Sequence, residues 1–291
     1  MIRPGLEAIL NPFARMVGMS TRKLIIPALI LSLSAVSCGG QRAGETSSTL
    51  KSPAKSAGTI AGPTTSPTVV PAISLKSYVI SVHSPDLAAN ISYPVVSKMA
   101  SSQIEENINS TIFKSVTAYV SAFETSLKGE PGIVLPGNGG NAVSQSEITG
   151  SFAKELVDSR YVSFRFVITS YFAGAASSTA QARSLTFDLS DGKLLSLADL
   201  FSTQNYLPVL SSLSKTAVEA KLGQSADQSL IMGGTQPNAV NFANWNLAKA
   251  GLEITFSQGQ VGAAAAGIVS IILPYADFAH LANRSGPLAN P

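Results

Sequence analysis

Apolar residues recur at steps of three and four from Ile104 through Ile108, Ile112, Val116, Tyr119, Val120 and Phe123 to Leu127. That spacing predicts a long helix with one buried face, and Glu106, Asn107, Lys114, Thr117 and Glu124 fall on the other. Gly129, Pro131 and Gly132 stop it. Ahead of the helix, Leu75–Val82 and Asn90–Tyr93 are rich in β-branched and aromatic residues and predict two strands. Ser84-Pro85-Asp86 reads as the turn between them, and Pro94 as the end of the second. Beyond the helix, strands are expected near Ile148–Val157, Arg160–Phe172 and Ala182–Leu189, the last closed by an Asp191-Gly192 turn. Both alternating sets of the Arg160–Phe172 run are partly apolar, which predicts a central strand covered on two faces. A second helix is expected at Tyr206–Leu222, ended by Gly223. Three more strands follow near Trp245–Leu247, Leu252–Phe256 and Val269–Leu273, then a short helix near Tyr275–Leu281. The order predicts an α+β fold, a mainly antiparallel twisted sheet with helices packed on one face. Two subdomains are expected, 72–180 and 181–282, with a disordered tail over 283–291.

The first 71 residues follow other rules. Arg22 and Lys23 precede an apolar run from Leu24 to Leu33, which leads to Ala35-Val36-Ser37-Cys38. A membrane-spanning helix needs roughly 20 apolar residues, and this run is shorter and broken by Pro27. It reads as a signal peptide over residues 1–37, with Met19 an alternative start. Ala35–Cys38 resembles a bacterial lipobox, in which the cysteine thiol receives a lipid. Cys38 is the sole cysteine, so it is the candidate lipid-attachment residue and no internal disulfide is available. Ala35 and Ser37 also fit an ordinary secretory cleavage, which leaves secretion without lipid as the alternative. Residues 38–71 are Gly, Ser, Thr, Ala and Pro with scattered lysines and predict a disordered tether. The expected location is the outer face of the cell membrane, reached by export and held by lipid.

Charge divides at the same place. The whole chain is formally +3, yet Ala72–Pro291 holds 13 Lys and Arg against 15 Asp and Glu, a net of −2. The basic excess belongs to the leader and tether, and no basic stripe is left for a nucleic acid.

The run Thr186-Phe187-Asp188-Leu189-Ser190-Asp191-Gly192-Lys193-Leu194-Leu195-Ser196-Leu197-Ala198-Asp199-Leu200-Phe201 resembles a signature of an extracytoplasmic bacterial domain family of unknown function. That family is shared by lysozyme-sensing anti-sigma factor receptors and a secreted mycobacterial immunogenic antigen. Gly251–Val261, Ala264–Gly267 and Ile272-Leu273-Pro274-Tyr275 resemble its second signature. Many members carry a histidine after a Gly-Ala-Ala segment; here Ser177 follows Gly174-Ala175-Ala176, so no role of that side chain transfers. At most 23 residues precede the apolar run, too few for a sigma-binding segment, and no deacetylase domain follows. The resemblance implies a stand-alone exported module that binds a protein, such as a lysozyme-like muramidase, or an envelope glycan.

Catalytic chemistry is thin in the sequence. His83 and His280 have no neighbour at metal-ligand spacing, and there is no Gly-x-Ser-x-Gly elbow. Glu105 and Glu106 diverge by about 100° on a helix and form no catalytic pair. Asp188 and Asp191 suit turn chemistry, and Asp199 suits a cap on the segment after it. No cofactor is expected. Trp245 with Phe242 and Tyr275 offers an aromatic groove, with core packing as the competing use. The Gly- and Ala-rich loop Gln258–Gly267 offers an apolar contact, or else packs on its own domain. Trp245, Gln260 and Val261 are therefore the candidate partner-binding residues. The expectation is a non-catalytic binding module; a glycan-acting envelope enzyme is the alternative.

Overall fold

The structure is a computed structural model and describes residues 70–83, 86–129, 145–203, 205–223 and 226–289. The signal peptide, Cys38, the tether before Val70, Ser84 and Pro85 of the first turn, and the glycine loop at 137–141 lie outside the described residues.

Two strands open the fold, β1 (Ala72–His83) and β2 (Asp86–Ser97), paired antiparallel without a register shift from Ala72↔Ser97 to His83↔Asp86. Helix α1 (Ser102–Gly129) then crosses to β3 (Ser146–Val157), which lies parallel to β2 over Leu87↔Ser146 to Ile91↔Gly150. A parallel pair needs such a crossover, because no tight turn can reverse the chain twice. β4 (Tyr161–Tyr171), β5 (Thr179–Asp188) and the two-residue β6 (Lys193–Leu194) continue as an antiparallel meander. The six strands lie in chain order. Helices α2 (Tyr206–Leu222) and α3 (Gln228–Gly234) precede a second, three-stranded antiparallel sheet of β7 (Trp245–Ala248), β8 (Gly251–Phe256) and β9 (Val269–Leu273).

The fold is α+β and mainly antiparallel, as the residue pattern predicts. Among the described residues the apolar cores are two. Ile108, Ile112, Val116, Val120 and Phe123 of α1 are buried against Val162, Phe164, Phe166 and Ile168 of β4 and Leu185 and Phe187 of β5. The second core joins Leu210 and Val218 of α2 and Ile231 of α3 to Leu252, Ile254 and Phe256 of β8 and to Phe201, Phe242 and Phe278. Each sheet thus carries helices on one face only. The other faces meet, β7 packing against β3, β4 and β5. β4 is covered on both faces, in agreement with its two-sided apolar pattern.

Three expectations need correction. The strand does not end at Pro94: it runs to Ser97, with Pro94 opposite Leu75. Pairing with β3 stops at Ile91, and at Val96 the side chain of Asn109 takes the vacant edge. Val96 N–H donates to Asn109 Oδ1 at 2.8 Å and Asn109 Nδ2 donates to the Val96 carbonyl at 2.8 Å. The boundary at 180 falls inside β5, which belongs to the first sheet. The tail is folded at least to Ala289: Leu288 is buried, Asn283 N–H donates to the Leu200 carbonyl, and Arg160 donates to the Ser285 carbonyl.

Asn109→Ala removes both bonds to a buried peptide. Leaving a buried donor and acceptor without partners costs about 2–3 kcal/mol in total. Urea denaturation is expected to show that loss, while Asn107→Ala, on the exposed side of the same helix, changes stability by less than about 0.5 kcal/mol.

Candidate functional site

One group of ionisable and hydroxyl side chains converges between the two sheets. Odd-numbered residues of β4 turn away from α1 and toward β7 and β8. Ser163 Oγ shares a 2.7 Å bond with Thr186 Oγ1 and accepts from Asn246 Nδ2 at 2.9 Å and from Leu247 N–H at 3.1 Å. Ser184 Oγ donates to Asn246 Oδ1 at 2.7 Å. Two residues along β4, Arg165 donates to Glu155 Oε1 at 2.9 Å and lies 3.5 Å from Glu253 Oε2. Thr255 and Ser270 share a hydroxyl bond of 2.9 Å, and Lys221 of α2 donates to the Ser270 carbonyl. Ser163, Thr186, Asn246, Glu253 and Thr255 are all buried.

Burial raises the Glu253 carboxyl above its ordinary value, and the negative charge of Glu155 adds to this. Arg165, the Ser270 hydroxyl and Lys221 act in the opposite sense without cancelling it. The folded state therefore favours the protonated acid. Its contribution to stability is full below the ordinary glutamate range and is lost as pH rises through the raised value. Glu253→Gln is expected to flatten that dependence. Thermal melts from pH 4.5 to 8 should show the variant matching or exceeding the parent at pH 8 and losing its advantage at pH 4.5, because Arg165 keeps Glu155.

A second constellation lies under α1. Arg183 of β5 sits over the Tyr119 ring at 6.0 Å, in a narrow cleft lined by Ser115, Val116, Phe166 and Ile168. Its Nε is buried without a hydrogen-bond partner. Burial pushes the Tyr119 hydroxyl upward despite Arg183. Among the described residues, no group of three or more His, Cys, Asp and Glu is placed to hold a metal ion.

The candidate partner-binding residues are committed to packing. Trp245 and Val261 are buried in the second core with Phe242. Tyr275 donates its hydroxyl to the Ala248 carbonyl at 2.8 Å, and burial pushes that hydroxyl up to about 12. The aromatic groove is thus filled core. Gln260 donates to the Asn241 carbonyl at 2.9 Å and accepts from Ser257 N–H at 3.1 Å. Within the same loop Ala263–Ala266 stay exposed, and so do Met232 of α3 and Val240. Asn241 fixes the backbone between α3 and Val240, donating to the Gly233 and Gln236 carbonyls.

The acidic residues of the first signature are structural. Asp188 accepts from Ser190 N–H and Asp191 from Lys193 N–H across the turn, where Gly192 takes φ 73°. Asp199 accepts from the Ser196 N–H and hydroxyl, both at 2.7 Å, and from Lys193 at 2.6 Å. Burial tends to raise that carboxyl, but the Lys193 and Ser196 bonds outweigh it and hold it below the usual range.

α2, α3 and the second sheet supply the segment that decides the comparison with known proteins. Residues 198–276 match the family described as Protein of unknown function, DUF3298. Over that stretch the chain resembles a DUF3298 domain. A crystal structure of a DUF3298 family member from Bacteroides fragilis NCTC 9343 shares the fold, with a TM-score of 0.55 at 17% identity. That match covers 76% of this chain and 97% of the other. A DUF3298 family protein from Pseudomonas aeruginosa PAO1 aligns at 10% identity and a TM-score of 0.47, over 73% of this chain and 93% of its own. No curated protein matches this chain. The DUF3298 segment contains Trp245, Glu253, Gln260 and Val261, whereas Glu155, Ser163 and Arg165 precede it. The polar seam is therefore shared between the DUF3298 segment and the strands upstream.

Sequence reasoning passed over Arg165, Glu155 and Glu253. The available signal was the alternation Leu252-Glu253-Ile254-Thr255-Phe256, which marks one polar face of β8 without saying what covers it.

Proposed function

We propose that this protein is an exported lipoprotein, anchored through Cys38, whose DUF3298-containing domain binds a protein partner and does not turn over a substrate. The leader and the lone cysteine support the anchor. The observation that carries the binding role is the pair of exposed apolar side chains Met232 and Val240, 56% and 70% exposed, on a backbone pinned by Asn241 and Gln260. Exposed apolar side chains on a fixed backbone suit association, because they lose water on contact at little cost in ordering. Glu155 and Arg165, by contrast, are paired with each other between the sheets, and Glu253, whose Oε2 is buried 3.5 Å from Arg165 without a hydrogen-bond partner, is the carboxyl on which the catalytic alternative is tested. A lysozyme-like muramidase is the partner that the family resemblance suggests, and an envelope glycan is the other candidate.

Two measurements test this. Mass spectrometry of the membrane-extracted chain is expected to find a new N-terminus at an acylated Cys38; an unmodified N-terminus in the medium overturns the anchor. The full chain in detergent is expected to bind lysozyme in interferometry, with Met232→Glu/Val240→Glu weakening it at least tenfold. Binding to neither lysozyme nor peptidoglycan overturns the partner reading. Peptidoglycan turnover that disappears in Glu253→Gln overturns the non-catalytic one.

A further inference from the structure

The two ends of the six-stranded sheet are treated differently. At one end the outer edge of β5 is occupied: β6 pairs with Phe187 and Asp188, Leu195 N–H donates to the Thr186 carbonyl, and Gln258 and Ser257 bond Ala180 and Ala182. At the other end lies β1, 12 residues long. Its pairing with β2 carries no bulge. Ala72–His83 contains no proline and one charged side chain, Lys76. No described segment pairs with its outer side. Long, regular edges of this kind are usually blunted by charge, proline or a bulge, because their outward N–H and C=O groups template another strand.

The side chains of this edge are self-complementary. Leu75 and Val79 are 62% and 65% exposed, on the face away from α1, where Ser77 and Ser81 accompany them. A two-fold axis through Ser77 lays β1 antiparallel to itself over its whole length, Ala72 opposite Val82 of a second copy. In that register Leu75 meets Val79 and Val79 meets Leu75, so each exposed apolar side chain gains an apolar neighbour on both copies. On the other face Lys76 falls opposite Tyr78, which already stands edge-on to Phe113 with ring centroids 5.7 Å apart. The ammonium thus meets an aromatic ring and not a second ammonium. Moving the axis to Lys76 puts like charges opposite each other; moving it to Tyr78 sets Leu75 against Ser81 and Val79 against Ser77. The Ser77 register alone among these three satisfies apolar pairing, charge and full overlap together.

We propose that β1 is a homodimerisation edge, two copies joining through Ser77-centred antiparallel pairing into one continuous twelve-stranded sheet. This is independent of the ligand surface at Met232 and Val240. The test uses the full chain in membranes, with the parent, Ser77→Cys and Ser81→Cys treated with a short bis-maleimide. The parent controls for Cys38. Paired Ser77→Cys side chains are adjacent, whereas two Ser81→Cys side chains lie about 27 Å apart along the strands, at about 3.4 Å per residue. Ser77→Cys is expected to give a dimer band at least tenfold stronger than the parent or Ser81→Cys. Adding Leu75→Lys and Val79→Lys is expected to reduce it at least tenfold; both positions are exposed, and a melt unchanged from the parent verifies folding. Equal crosslinking at 77 and 81, as random collision would give, overturns the proposal. So does no dimer at 77, or a Ser77→Cys band at the mass of another protein.

Discussion

Replacing Arg165 with leucine is expected to lower stability by about 3 kcal/mol at pH 8, from the usual cost of removing one member of a buried ion pair. Arg165 is the cation between Glu155 and Glu253, and all three side chains are mostly shielded, at 24%, 18% and 8% exposure. Without it two carboxylates face each other in a seam that water reaches poorly. The loss should shrink at pH 5, because burial raises the Glu253 carboxyl and its neutral form gains as pH falls. Arg165→Lys keeps the charge but loses the planar fork, so an intermediate loss is expected. Urea titrations of the three proteins at both pH values check this. A loss for Arg165→Leu that is the same at pH 5 and pH 8 would mean that packing, not charge, sets the effect.

The second large effect is expected at Gly251, the first residue of β8, which has φ 153°. A methyl there collides with the Leu273 carbonyl, its carbon only 2.8 Å away, at the end of the β8–β9 pairing. Either the hairpin shifts or β9 moves outward, and overpacking of this kind costs about 3 kcal/mol. Gly259 provides the control. It sits at φ 81° with nothing within 4 Å of an added methyl, so Gly259→Ala carries only the backbone penalty of about 1–2 kcal/mol. Melting temperatures of the two variants separate contact from conformation: Gly251→Ala should fall by roughly 10 °C and Gly259→Ala by about half of that or less.

Elements that carry their own periodicity were legible. The Ile, Val and Phe stripe of α1 needs no knowledge of its partner to be read as a buried face, and β4 announced its central place through two apolar alternations. α3 escaped because seven residues ending in Gly233-Gly234 are too short for a helical stripe. Its Asp227 cap, bonding Ser229 and Leu230 N–H, was the available clue. Pro94 misled because strand termination by proline depends on which edge is bonded, and here Asn109, 13 residues beyond Val96, supplies that residue's missing partner. The candidate site was harder still. Gly- and Ala-rich composition around Gln260 suggests mobility, yet small residues there allow close approach: a methyl on Gly234 would lie 2.6 Å from Val261 Cγ1. Composition alone cannot tell those two uses apart. The seam joins Ser163 to Asn246, 83 positions later, and nothing local in either strand names the other.

The hydrophilic character of that seam bears on how the chain is made. Synthesis runs from the N-terminus, so residues 72–188 emerge well before Trp245. During that interval the face of β4 and β5 that waits for the second sheet offers Ser163, Arg165, Ser184 and Thr186 to water. A half-finished molecule therefore exposes a wettable surface where most two-sheet proteins expose a greasy one, and it can await its remaining strands with less risk of clumping.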